Sequence, residues 1–303
     1  MAGPSASDIA ATLDYRSIRQ FLRMANLKTF PALVANKPSS IELDRGVTYH
    51  RIHLHLTVGG VAVSLADVKA YGSVKLMVDG DAFIDESIDQ IIARQDYHNG
   101  RGSVLSYDAS SGILTLHLAQ PWATETAAQD GPAYGMKVGG PNGVLNATLT
   151  FVSSDLSKID FVEGVYGWDD AAYMGRHFRT YHIIGNQSSA GDLVIDQWPI
   201  NDPTAVIQAI HLKSTAVTNV RLNVDKGDDI EKMALNFLHR SAASLGKIPQ
   251  TGWSHIAFDN RGRPRDGMPV IFQNGRLVLT TSGALGAYDM VVEVLEGVDP
   301  AAA

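Results

Sequence analysis

Apolar and polar side chains alternate at every second position over much of the chain beyond residue 40. Residues 49–56 carry the pattern, and it returns in residues 74–78, 112–118 and 145–151. Successive side chains of a β-strand point to opposite faces, so this period predicts strands with one buried and one polar face. Asp-Gly and Asn-Gly pairs separate the segments, as expected for many short strands.

Three stretches follow the helical period instead. Residues 7–25 place apolar side chains on one face and predict an N-terminal helix. A second helix is predicted from Ile84 to Ile92, where isoleucines recur at steps of four and three. A third is predicted over residues 230–238, with Gly246 as its stop.

The second half of the chain repeats the pattern of the first. Residues 74–79 and 220–225 have matching strand patterns at an offset of 146, and Ile84 and Ile230 are also 146 residues apart. Many short strands with few helices are typical of a sandwich or jelly roll. The sequence therefore predicts an all-β chain, mainly β with short helices, folded as a tandem double jelly roll of two eight-stranded barrels.

The same patterns predict where the parts begin and end. Residues 1–38 form an N-terminal helix and arm, and residues 39–155 form the first jelly roll. Residues 156–190 are rich in glycine, aspartate and aromatic residues without a regular period, and we interpret them as a connector. Residues 191–303 form the second jelly roll.

Composition narrows the classes of function. The chain has 303 residues, a net charge of −7 and 45% hydrophobic residues, so it can bury a core. The negative charge argues against direct nucleic-acid binding, which uses a basic face. The absence of cysteine excludes disulfides, thiolate zinc sites, iron–sulfur clusters and cysteine nucleophiles. Charged residues make up only 19%, which suits large contacts between subunits.

Two histidines raise the question of a metal site. His53 and His55 lie at i and i+2, on one face of a predicted strand, where two imidazoles can share a metal. A two-module cupin would add a glutamate soon after such a pair, but residues 56–68 contain none. The corresponding strand of the second half carries His211 without a second histidine beside it. A polar outer strand face is the favoured interpretation, and a cupin-type metal-dependent enzyme or a carbohydrate-binding β-sandwich is the alternative.

Carboxylates cluster in sequence at corresponding places of the two halves. Hard oxygen ligands of this kind can bind calcium, although the spacing is not that of a calcium-binding helix–loop–helix. Turn formation and helix capping are the favoured interpretation. No Gly-x-Ser-x-Gly motif is present, and we assign no catalytic residue. The clustered carboxylates are Asp79, Asp81, Asp85, Asp225, Asp228 and Asp229.

Several short motifs, taken in order, resemble the major capsid protein of corticovirus-type phages. They lie within residues 16–22, 40–49 and 74–80 in the first half, and within 209–225 and 290–294 in the second. The predicted connector has no counterpart in that family. The resemblance is as compatible with a finnlakevirus-like or other membrane-containing icosahedral phage as with a corticovirus.

The resemblance implies a structural capsid protein with a double jelly-roll fold, not an enzyme. Three copies would form a homotrimer, a pseudo-hexagonal capsomer, and capsomers would tile a shell over an internal lipid membrane. Neighbouring capsomers, vertex or spike proteins and membrane proteins of the virion would be its partners. No cofactor would be required, with calcium as a structural ion. The protein would be made in the host bacterial cytoplasm and end in the virion shell.

The N-terminal segment is the predicted contact with the membrane. Anionic lipid attracts basic residues, each contributing up to about 1 kcal/mol near the surface. We expect four residues to face the lipid: Arg16, Arg19, Arg23 and Lys28. From the residue pattern alone, an ordinary terminal helix docked on the body of the protein is the favoured interpretation of this segment, and the resemblance is what points to lipid. A minor vertex or spike component is the alternative for the whole chain.

Overall fold

A computed structural model describes residues 23–98, 105–121, 133–140, 143–224, 227–258, 267–270 and 275–297. Within them, twenty strands and three short helices build two β-barrels in sequence. None of the described helices is long and apolar enough to cross a membrane.

The first barrel begins at β1 and ends at β11, with helices α1 (Leu65–Tyr71) and α2 (Ile88–His98) inserted. Its strands are β1 (Met24–Asn26), β2 (Ser39–Glu42), β3 (Val47–Val58), β4 (Val61–Ala62), β5 (Gly72–Val78), β6 (Asp81–Ser87), β7 (Tyr107–Asp108), β8 (Ile113–His117), β9 (Tyr134–Gly135), β10 (Ala147–Ser153) and β11 (Phe161–Asp170).

The second barrel holds the remaining strands and helix α3 (Leu235–Ser244). Its strands are β12 (His177–Gln187), β13 (Gly191–Ile195), β14 (Val206–Leu212), β15 (Val217–Val224), β16 (Gly227–Ala234), β17 (Ser254–Ala257), β18 (Met268–Pro269), β19 (Arg276–Thr281) and β20 (Gly286–Glu296).

Both barrels have the same topology. The larger sheet runs β1-β11-β3-β8 in the first barrel and β12-β20-β14-β17 in the second, with β4, β7 and β9 or β18 added at the sides. The smaller sheet runs β2-β10-β5-β6 in the first and β13-β19-β15-β16 in the second. Helices α2 and α3 occupy the same place between these strands. The chain is therefore a tandem double jelly roll, as predicted.

Each barrel has its own hydrophobic core between its two sheets. On β3, Ile52, Leu54 and Leu56 are fully buried and face inward, while the residues between them face outward. On the smaller sheet, which lies opposite, Leu76 of β5 and Leu149 of β10 are paired neighbours and are fully buried as well. Burying each such side chain stabilises the fold by about 1.5–3 kcal/mol, so the period of two in the sequence is what selects the barrel.

The turn between β5 and β6 shows how local sequence sets the register. Asp79 and Gly80 both have positive φ, 52° and 93°, as a two-residue type I′ hairpin turn requires. The Asp79 carboxylate also accepts hydrogen bonds from the backbone N–H groups of Leu145 and Asn146, at 2.8 and 2.7 Å. One aspartate thereby ties the turn to the loop that enters β10.

The predicted start of two helices is wrong by several residues. Ile84 belongs to β6, where it pairs with Leu76, and α2 begins only at Ile88. In the second barrel, Ile230 lies on β16 and α3 begins at Leu235. Hydrogen bonding to a neighbouring strand overrides a spacing that also fits a helix. The predicted stop near Gly246 is confirmed, since Gly246 has φ 84° and its N–H bonds the carbonyl of Ala243.

The predicted connector and N-terminal helix need correction. Residues 156–190 are not an irregular link, because they supply β11 to the first barrel and β12 to the second. Their glycines and aromatic residues hide the strand period. Met24–Asn26 is a strand paired with β11, not the end of a helix. The rest of the predicted helix, with Arg16 and Arg19, lies outside the described residues.

Candidate functional site

Helix α2 fills the space between the two barrels. One face packs into the core of the first barrel through three isoleucines: Ile88, Ile91 and Ile92. The adjoining face carries Arg94, Tyr97 and His98, which are buried as well. At the helix end, the backbone N–H of Ile248 donates to the Tyr97 carbonyl at 2.8 Å. A helix buried on both faces makes the two barrels one packing unit.

A buried ion cluster joins α2 to β20 of the second barrel. The Arg94 guanidinium lies 2.9 Å from Glu86 Oε2 and 3.4 Å from Glu293 Oε1. His98 Nε2 lies 2.7 Å from Glu293 Oε2. All four side chains are at most 3% exposed. Burial raises the pKa of Glu293, but His98, His211 and Arg94 more than offset it, so its pKa lies well below the ordinary value.

Two more histidines extend this cluster into the second barrel. The Gln250 N–H donates to His255 Nε2 at 3.2 Å, which assigns the His255 proton to Nδ1. That proton is donated to His211 Nδ1, 2.7 Å away, so the His211 proton lies on Nε2, 3.5 Å from Glu293 Oε2. Burial lowers the pKa of His211 to about 4. Burial and the neighbouring His211 hold the pKa of His255 far below its ordinary value, and the Tyr97 ring stacks on this imidazole. Both imidazoles are therefore neutral at pH 7.

The cluster also contains a candidate metal-ligand set. Within the described residues, one group of three ligand atoms lies close enough to share an ion, those of His98, His211 and Glu293, all within 4.8 Å. Two nitrogens and one carboxylate suit zinc rather than calcium. The chain of hydrogen bonds, however, puts a proton on the His211 nitrogen that would ligate, and Arg94 occupies the other Glu293 oxygen. The geometry therefore fits a network of ion pairs and hydrogen bonds around Glu293 better than it fits a metal centre.

A second contact between the barrels lies along β6 and β12. Arg179 Nε donates to the Ala82 carbonyl at 2.9 Å, and its Nη1 donates to Glu296 Oε1 at 3.1 Å. The rings of Phe83 and His177 stack with centroids 4.7 Å apart. Paired charges and stacked rings at two separate places fix how one barrel is oriented on the other.

Arg23, predicted to face lipid, is engaged by the first barrel. Its guanidinium donates to Asp170 Oδ1 at 2.5 Å and lies 3.6 Å from Asp169. It also stacks over the Trp168 ring, 4.8 Å from the centroid. These contacts hold the start of β1 against β11, and the two carboxylates compensate much of the positive charge of Arg23.

Lys28 is the other described member of that basic set. It lies half-exposed, 3.7 Å from Glu42 and 3.8 Å from Asp44. Both contacts are long, so the ammonium is less engaged than Arg23. The contact of Arg16, Arg19, Arg23 and Lys28 with lipid stays a prediction.

His53 and His55 share one face of β3, as the alternation predicts, but do not form a metal-ligand group with a third described residue. His53 Nδ1 is 2.9 Å from the Thr115 hydroxyl, and His55 Nδ1 is 3.0 Å from Glu163 Oε1. Burial and the nearby Arg51 lower the pKa of His53 to about 4. The pair belongs to the outer polar face of the larger sheet.

The structure does not gather the predicted calcium ligands of the first half. Asp79 is used in the turn, Asp85 pairs with Lys75 at 2.8 Å, and Asp81 lies 3.9 Å from Arg179. Each carboxylate thus has its own partner. Side chains of the second set lie outside the described residues: Asp225, Asp228 and Asp229. A calcium role stays a prediction.

The residues of the buried cluster between the barrels were not among the site residues predicted from the sequence. Glu293 was a visible signal, because it interrupts the apolar run at residues 290–295 and a charge in a buried strand needs a partner. Its partners Arg94 and His98 lie about two hundred positions earlier, 199 and 195 residues away. Nothing in one sequence indicates that pairing.

Comparison with known proteins agrees with this architecture. The family profile "Viral coat protein P2 N-terminal domain" matches residues 24–152, and "Viral coat protein P2 C-terminal domain" matches residues 176–298. A search of curated proteins found no match.

Solved structures show the same fold. The major capsid protein P2 from bacteriophage PM2 has a TM-score of 0.74 at 17% identity, covering 90% of this chain and 96% of that one. The Sulfolobus Turreted Icosahedral Virus structure gives 0.62 at 14% identity, covering 92% and 91%. The PBCV-1 virus capsid gives 0.56 at 9% identity, covering 90% and 93%.

The two matched ranges cover the second barrel and most of the first, leaving out β11, and their order in the chain is the order of the jelly rolls. The chain therefore belongs to the viral coat protein P2 family and is a double jelly-roll viral coat protein.

Proposed function

We propose that the protein is the major capsid protein of an icosahedral virion and acts as a homotrimer, a pseudo-hexagonal capsomer. The single observation that carries this is the pairing of two equivalent barrels through the buried helix α2. Three such pairs arranged around a threefold axis place six similar barrels in a ring, which approximates sixfold symmetry. A vertex protein on a true fivefold axis needs only one barrel per chain, so a duplicated barrel argues for the hexagonal position instead.

The proposal extends to the surroundings of the capsomer. Its partners are neighbouring capsomers, vertex or spike proteins, membrane proteins of the virion and a lipid membrane under the shell. The protein is made in the host bacterial cytoplasm and functions in the virion. Its role is structural, not enzymatic. The buried polar cluster supports this, because its charged groups are paired and shielded from solvent at the joint between the barrels.

The purified protein is expected to have a solution mass of three chains of 32.6 kDa, about 98 kDa, by light scattering. Negative-stain images of the same fraction should show a hexagonal outline. A stable monomer or dimer at micromolar concentration, with or without bound transition metal, would contradict the proposal.

The membrane contact makes a separate prediction. The Arg16→Gln, Arg19→Gln double variant is expected to bind phosphatidylglycerol vesicles roughly 30-fold more weakly at low salt, since each charge contributes about 1 kcal/mol. Vesicle flotation measures this. Arg16→Gln alone should lose roughly fivefold, and Arg23→Gln is its matched single control, which should lose less because Asp169 and Asp170 already engage that charge. Equal losses for the two single variants would contradict the assignment.

A further inference from the structure

The outer faces of the two larger sheets are equivalent but differently covered. In the second barrel, α2 covers the face formed by β14, β17 and β20, and buries His211, His255 and Glu293. In the first barrel, the same face, formed by β3, β8 and β11, carries an open groove of about 640 Å³. The groove is lined by Leu27, His53, His55, Ile113, Phe161 and Glu163, among others.

Helix α3 shows the complementary difference. It is the second-barrel counterpart of α2, and counting from the first residue of each helix pairs Asp89 with Asn236 and Gln90 with Phe237. The same count pairs Arg94 with Ser241 and Tyr97 with Ser244. The α2 residues are buried or partly buried against the second barrel, whereas these α3 residues are exposed. Phe237 is 64% exposed.

We propose, building on the capsomer function above, that α3 of one copy occupies this groove on the first barrel of a neighbouring copy. The contact repeats between copies what α2 does within one chain. Applying the same barrel-to-barrel step alternately within and between chains generates a heterologous ring. Each chain contributes two barrels, so the ring closes at three copies when each step from one barrel to the next turns by about 60°.

The chemistry of the two surfaces is complementary. Each larger sheet carries a glutamate beside a histidine on its outer face, Glu293 with His211 in one barrel and Glu163 with His55 in the other. Within the chain, α2 brings Arg94 to Glu293. Between copies, Ser241 stands at the place of Arg94, and the exposed Arg240 next to it supplies the cation for Glu163, which is 60% exposed.

Apolar contacts complete the fit. Phe237 protrudes from α3, while Phe161, 47% exposed, and the partly buried Leu27 and Ile113 provide apolar surface in the groove. Exposed aromatic side chains that meet at a contact gain free energy from leaving water. A second copy of this chain is thus the occupant that the groove fits.

Cross-linking tests the assignment, because the chain has no cysteine of its own. The Phe237→Cys, Phe161→Cys double variant, treated with a short bismaleimide, is expected to give covalent dimers and trimers on a denaturing gel. The control pairs Phe237→Cys with Leu145→Cys, which is 76% exposed and lies beside β10 of the smaller sheet. It should stay monomeric on the gel.

Phe237→Glu gives an independent measurement. The side chain is exposed in the single chain, so the circular dichroism spectrum should be that of the wild type, while the concentration for half-dissociation of the trimer should rise at least tenfold. A wild-type trimer in which the groove pair cross-links no better than the control, or in which Phe237→Glu changes nothing, would overturn this inference and leave the capsomer function standing. A wild-type protein that forms no trimer would overturn both.

Discussion

Arg94→Met is expected to lower the free energy of unfolding by about 3–5 kcal/mol, the cost of removing one partner from a buried ion pair. The guanidinium is 3% exposed and lies between Glu86 and Glu293, whose carboxylates are at most 1% exposed. Without it, two negative charges remain in a region shielded from water. Urea unfolding of wild type and variant at equal protein concentration measures the difference.

Lys75→Met is the matched control for this substitution. Lys75 pairs with Asp85 at 2.8 Å, but the two side chains are 38% and 53% exposed. Exposed pairs contribute about 0–1 kcal/mol, so the control should stay close to the wild type. The triple variant Arg94→Met, Glu86→Leu, Glu293→Leu should recover much of the loss, since it leaves no unpaired charge. An Arg94→Met protein as stable as the control would contradict the buried-cluster account.

Acid is expected to weaken the protein between pH 6.5 and about pH 4. Burial lowers the pKa of both His211 and His117 to about 4, whereas an unfolded chain titrates histidine near pH 6.5. In that window the unfolded state binds more protons than the folded state, so stability falls as pH falls. His211 alone accounts for about 3 kcal/mol. Glu293 keeps its charge through the window because its pKa is held well below the ordinary value.

Urea unfolding at pH 7.5, 6.5, 5.5 and 4.5 checks this prediction. His211→Gln keeps a neutral side chain that can both accept and donate hydrogen bonds, but it does not titrate. The free energy of unfolding of this variant at pH 7.5 is expected to be lower than that of the wild type. Its decrease between pH 7.5 and pH 4.5 is expected to be smaller than the wild-type decrease by about 3 kcal/mol. An unchanged slope in His211→Gln would contradict the assignment.

The sequence predicts the barrels because their physical cause is local. The alternation at residues 49–56 gives β3, and Asp79-Gly80 gives the hairpin turn that follows β5. The duplication is visible because corresponding strands keep a constant offset. Where a helix begins depends less on local sequence. Ile84 and Ile230 satisfy a helical spacing, but their backbones pair with neighbouring strands.

The joint between the barrels could not be predicted in the same way. Arg94 and Glu293 are ordinary charges in the sequence, and only the docking of α2 on β20 makes them partners. Likewise, the sequence does not show that Arg23 pairs with Asp170, a contact that forms where β1 pairs with β11. Contacts between distant residues depend on the arrangement of whole barrels, which a period of two does not specify.

A cryo-electron microscopy reconstruction of the purified protein tests the central claim most directly, namely that each chain is a rigid pair of equivalent barrels from which a pseudo-hexagonal trimer is built. The account predicts six barrels in a ring, with α2 buried between the barrels of one chain and α3 in the groove of the next. Barrels that vary in their relative orientation within one chain, or a particle without a threefold axis, would contradict it.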